Sequence, residues 1–111
     1  MSRVNSVQEI FENINEGFQP DKAEGVNAIF QFNLSGDNGG VYWIRVYDKQ
    51  MEVNEGEHEA PTLIINSSAD DYIALVNGEL NPMMAFMQGK IKVKGEMALA
   101  LKLQSIFGLG A

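Results

Sequence analysis

The 111-residue chain contains no cysteine and a single histidine. It also has no apolar run near the roughly 18 uncharged residues that suggest a membrane span. Each shortage removes a class of function. Without cysteine there is no disulfide, no thiol nucleophile and no thiolate metal site. His58 alone cannot supply the three or four nitrogen or sulfur ligands of a zinc site, and no Asp-x-Asp-x-Asp-Gly spacing offers a calcium loop. No serine stands in a Gly-x-Ser-x-Gly elbow. His58 lies among Glu55, Glu57 and Glu59 in an acidic loop, where it is either a solvated side chain or a base beside a carboxylate. No pair of acids is embedded in an apolar stretch, where burial would raise a pKa for acid–base work. The expectation is a protein with no catalytic residues, no metal and no cofactor.

Positive charge is scarce as well. Eight Lys and Arg stand against fifteen Asp and Glu, for a net charge of −7. Such a chain repels phosphate backbones, so nucleic acid is not an expected partner. The opening Met1-Ser2-Arg3-Val4-Asn5 is soon followed by Glu9 and Glu12 and lacks the apolar core of a secretory signal. The expected location is cytoplasmic. The length suits one domain, residues 1–111.

What is present is patterned. Val7, Ile10, Phe11, Ile14 and Phe18 recur at three- and four-residue spacing, predicting an amphipathic helix that Gly17 and Pro20 end. From Val26 to Ser35 apolar and polar residues alternate, with Ala28, Phe30, Phe32 and Leu34 on one side. Ser35 to Gly40 is turn-like, and Val41 to Asp48 alternates again, with Tyr42, Ile44 and Val46 on one side. A reversal at Asp48-Lys49 leads to a short strand carrying Met51 and Val53. After the acidic loop from Asn54 to Pro61, Thr62 to Asn66 reads as a fourth strand. Ser68 with Asp71 then opens a helix bearing Tyr72, Ile73, Leu75 and Val76, which Gly78 closes. Asn81-Pro82 starts a short helix through Gln88. Lys90 to Lys94 is a fifth strand, and Glu96 to Phe107 a last helix. This order predicts an α+β fold, a five-stranded, mostly antiparallel sheet with helices packed on one face.

Two features call for more than a core. Lys90, Lys92, Lys94 and Lys102 are half of all the basic residues. On a strand, the first three share a face, which serves either as a solvated edge or as a docking surface for an anionic headgroup or membrane. Second, Leu80, Pro82, Met83, Met84, Phe86 and Met87 crowd into eight residues, and the last helix carries two adjoining apolar stripes. Met97, Ala98 and Leu101 form one stripe; Leu99, Leu103, Ile106 and Phe107 form the other. These are either ordinary core or contacts to a ligand or partner chain, and methionine suits a site that adapts to varied acyl chains.

The segment Gly78 to Gln104 resembles the C-terminal signature of sterol carrier protein 2 domains. It has the Gly78-x-x-Asn81-Pro82 helix start, the Phe86-x-x-Gly89-Lys90 strand entry and the Gly95-x-Met97-x-Leu99-Ala100-x-Lys102-Leu103 helix. Ala28-Ile29-Phe30-Gln31-Phe32, Tyr42-Trp43 and Asp70-Asp71-Tyr72 agree, so the resemblance runs from about residue 7 to 107. It implies a hydrophobic tunnel between sheet and helices and a non-catalytic carrier of fatty acid, acyl-CoA, phospholipid or sterol. The tunnel-lining positions it implies are Phe11, Ile14, Phe30, Phe32, Ile44, Tyr72, Leu75, Val76, Met83, Met84, Phe86, Met87, Met97 and Leu101. Family members also occur fused to enzymes. The competing expectation is therefore an accessory or interaction domain with little tunnel, using its last helix to form a homodimer or to present an apolar substrate. The ending Gly108-Leu109-Gly110-Ala111 is no peroxisomal tripeptide and suggests a stand-alone prokaryotic-type member with an acyl ligand.

Overall fold

Ser6 is extended, and its hydroxyl accepts a hydrogen bond from the Glu9 amide at 3.1 Å, which caps α1 (Val7–Asn13). The computed structural model describes residues 3–107, so the C-terminal tetrapeptide reading lies outside the described residues. At Asn13 the side chain donates to the Glu9 carbonyl at 3.0 Å. The chain there tightens into a 3-10 turn at Ile14–Gly17, and a second follows at Pro20–Ala23. The helical spacing through Phe18 is thus realised as one α-helix and a tighter continuation.

Three strands follow as an antiparallel meander: β1 (Ala28–Ser35), β2 (Gly40–Tyr47) and β3 (Gln50–Glu55). The β2–β3 reversal places both Asp48 (φ 49°) and Lys49 (φ 58°) in the left-handed region, the signature of a primed two-residue hairpin. The chain then crosses the outer face of the sheet. There the His58 amide donates to Gln31 Oε1 at 2.8 Å, and the His58 ring sits edge-on to Trp43 at 4.8 Å. This crossing brings β4 (Leu63–Ser68) alongside β1 in parallel register, Phe30 opposite Leu63 and Phe32 opposite Ile65. After α2 (Ala69–Val76) and α3 (Pro82–Met87), β5 (Ile91–Gly95) pairs antiparallel with β4, and α4 (Met97–Phe107) closes the order. The sheet order is β3-β2-β1-β4-β5. Three of its four pairings are antiparallel, as the alternation suggests, and β5 forms one edge.

The helices cover the inner face. Phe30, Phe32, Ile44 and Leu63 are fully buried there. Phe11 of α1 stacks on Tyr42 at 4.3 Å and meets Phe32 edge-on at 5.2 Å, while Tyr72 of α2 also reaches Phe32, at 5.7 Å. α4 is pinned at its C-terminal half, where the Ile106 carbonyl accepts from the Gln19 amide at 2.7 Å and Phe107 lies 5.6 Å from Phe18. A two-sided clamp ties the N-terminus to the end of α2. The Asn77 side chain accepts from the Val4 amide and donates to the Val4 carbonyl, both at 2.8 Å.

Candidate apolar groove

α2, α3 and α4 do not close over the β4–β5 end of the sheet, and the reasons are local. In α3, Asn81 Oδ1 accepts from the amides of Met83 (2.9 Å) and Met84 (3.2 Å), and Pro82 fills the first position. The helix is one and a half turns long and buries only Ala85. Its large side chains cannot all face one way over so short a span, so Met83, Met84, Phe86 and Met87 stay exposed. In α4 the buried residues Leu103, Ile106 and Phe107 all lie in the second half. In the first half Leu99 and Ala100 are half buried against the core, while Met97 is half exposed and Leu101 72% exposed.

Between these elements lies a groove of about 500 Å³, within the range typical of small-molecule sites. Its floor is the inner face of β4 and β5, through Ile65, Ile91 and Val93. α2 contributes Tyr72 and Leu75, the α3 segment Asn81, Pro82, Met83 and Phe86, and α4 Met97, Ala100, Leu101, Leu103 and Gln104. None of these carries a charge at neutral pH. Burial pushes the Tyr72 phenol well above its ordinary range, so it remains protonated. A preformed, uncharged, apolar cleft with a few amide and hydroxyl groups can take up a hydrocarbon chain.

The residues expected to line a tunnel are placed in three groups. Tyr72, Leu75, Met83, Phe86, Met97 and Leu101 come together on the groove. Phe11, Ile14, Phe30, Phe32 and Ile44 are packed into the core under α1 and α2. Val76 is half buried against that core, while Met84 and Met87 project from α3 away from the lining. Ile65, Ile91 and Val93 fall within the fourth and fifth strands expected from the sequence, and nothing in their spacing marked them as a floor. Asn81 and Gln104 are the polar additions.

Of the lysines, Lys92 and Lys94 lie on β5 opposite Asn66 and Ile64, whereas Lys90 precedes the strand. Lys90 and Lys92 border a second groove of about 670 Å³ with Asn33, Asn66, Ser68 and Asp71. It is larger but sets Asp71, Lys90 and Lys92 beside Leu34 and Val41, so a lipid tail there would meet charged groups. Among the described residues, no three His, Asp or Glu side chains cluster to hold a metal ion. His58 Nδ1 accepts from the Ala60 amide at 2.9 Å, which makes the imidazole a tie within its own loop. Among those residues, no helix is long and apolar enough to cross a membrane.

Residues 7–108 match the model of the SCP-2 sterol transfer family. The chain belongs to that family. A curated relative, hydroxysteroid dehydrogenase-like protein 2 of Bos taurus, is 35% identical over 106 residues, which is 95% of this chain and 25% of the relative. The chain thus spans about a quarter of the length of the curated relatives it matches. Among solved structures, the sterol carrier protein domain 2 of Helicoverpa armigera is 29% identical with a TM-score of 0.70, covering 97% of this chain and 93% of that one. Palmitated SCP2L2 of Aedes aegypti is 24% identical, also with a TM-score of 0.70, covering 91% and 89%. The α+β architecture is that of SCP-2 domains, and the family membership supports a role in lipid binding or transfer.

Proposed function

We propose that the chain is a non-catalytic lipid carrier that holds one fatty acid, acyl-CoA, phospholipid or sterol molecule in the groove between α2, α3, α4 and the β4–β5 end of the sheet. The observation that carries this reading is the groove itself, apolar on its floor and walls, uncharged, and open beside flexible methionines. The palmitated state of the Aedes aegypti protein is in keeping with an acyl occupant for this fold. Burying the roughly fifteen methylene-sized groups of a palmitoyl chain at about 0.8 kcal/mol each gives roughly 12 kcal/mol gross. Immobilising the lipid takes back several of these, which leaves micromolar or tighter binding and still permits release. Titration with palmitate and palmitoyl-CoA tests the reading: saturable binding at one per chain supports it, and no binding at tens of micromolar removes it.

A second reading is favoured by the relatives. Since the matching region is a quarter of a dehydrogenase-like protein, the domain also fits an accessory role, presenting an apolar substrate to an enzyme or pairing through the exposed face of α4. That role uses the same patch of Met83, Phe86, Met97 and Leu101 and fills the groove only transiently. Loading and unloading at a membrane would draw on Lys90, Lys92 and Lys94, whose charge suits an anionic surface. We place the protein in the cytoplasm.

A further inference from the structure

Among the described residues lining the groove, the one ionisable side chain is Tyr72. The residue is 2% exposed, with its ring fixed edge-on against Phe32. Every fully occluded side-chain nitrogen or oxygen among the described residues has a hydrogen-bond partner. The Tyr72 hydroxyl makes no hydrogen bond to any described residue, and the residue lines the groove. A buried hydroxyl facing only hydrocarbon would be costly to keep, and a phenylalanine would fill the space as well.

We propose that Tyr72 determines specificity in this groove by hydrogen bonding to an uncharged oxygen, a hydroxyl or acyl carbonyl, on the buried part of the bound lipid. The inference rests on the carrier reading and adds the chemistry of the ligand. An uncharged oxygen follows from the surroundings. Among the described residues no cation lines the groove to balance a carboxylate or phosphate, and an unpaired anion in such a cleft is far more costly than a neutral oxygen. The phenol, held protonated by burial, donates; an alcohol or carbonyl accepts. Asn81 and Gln104 lie on the exposed side of the lining, where they suit a more polar portion of the ligand. A charged headgroup is then expected outside, in solvent.

The test compares two isosteric probes, hexadecan-1-ol and heptadecane, in displacing a fluorescent alkyl probe from the wild-type protein and from Tyr72→Phe. The wild type is expected to favour the alcohol over the alkane, and Tyr72→Phe to reduce that preference about tenfold with alkane affinity unchanged or improved. The same alcohol-to-alkane ratio in both proteins would overturn the Tyr72 assignment and leave the carrier standing. Failure of both probes and the dye to bind the wild type would overturn the carrier reading and this inference together. Tyrosine labelled with carbon-13 at Cζ provides a readout that needs no variant. The buried tyrosine resonance is expected to shift with hexadecan-1-ol and not with heptadecane; equal shifts would count against the bond.

Discussion

Ala100 sits on the groove-facing side of α4, half buried, with only a methyl group against the cleft. Replacing it by tryptophan puts an indole into space that an acyl chain would otherwise occupy, without enlarging any residue of the buried aromatic core. An indole laid along the groove displaces about four methylenes of an extended chain. At about 0.8 kcal/mol each this removes about 3 kcal/mol of binding, or about a hundredfold in Kd. Met87→Trp is the matched control, because Met87 is 74% exposed on α3 and does not line the groove. Palmitate titration by displacement of a fluorescent fatty acid, with thermal melts to confirm folding, reads the difference. Binding weakened about a hundredfold in Ala100→Trp and unchanged in Met87→Trp is the expected pair. Equal affinities in all three proteins would refute the placement of the ligand between α4 and β5.

Further expectations concern the frame that holds the groove open. Gly95 has φ +118°, and a Cβ there would run into the Thr62 carbonyl; Gly95→Ala should therefore destabilise by several kcal/mol in urea unfolding, since strain and overlap add. Asn77→Ala strands the amide and carbonyl of Val4 and should lower stability by about 1–3 kcal/mol in the same assay. Lys49→Gly relieves a left-handed non-glycine residue in the hairpin and should raise stability by up to about 1 kcal/mol. Alkaline pH should destabilise the protein, because above pH 10.0 the unfolded chain loses the Tyr72 proton that the native state retains. Stability then falls with rising pH by up to about 1.4 kcal/mol per unit from this group, and Tyr72→Phe should flatten the fall measured by chemical unfolding.

The order of elements was legible in the chain because each signal is local. Alternation at Ala28, Phe30, Phe32 and Leu34 marks a half-buried strand, Ser68 and Asn81-Pro82 mark helix starts, and three-and-four spacing marks α1. The mixed sheet was less legible, because whether β4 runs parallel or antiparallel to β1 depends on how the 56–61 loop crosses the outer face. That path is set by Gln31, Trp43 and His58, residues far apart in sequence. Periodicity also tells which way a side chain points, not what lies above it. Phe30 and Ile65 both point inward and are buried, yet Ile65 also floors the groove, because α3 is short and the first half of α4 is only partly buried. Met84 and Met87 share the composition of Met83 and differ from it by a rotation on a helix of six residues. Tyr72 was expected on the tunnel only through the family resemblance; its place on the groove depends on where α2 lands against Phe32.

Native mass spectrometry of the purified protein, followed by solvent extraction and lipid analysis, tests the carrier reading most directly. The expected result is one lipid per chain, with occupancy lost in Ala100→Trp and kept in Met87→Trp. An empty protein that takes up neither palmitate nor palmitoyl-CoA nor hexadecan-1-ol would contradict it and leave the accessory role as the function of the exposed apolar face.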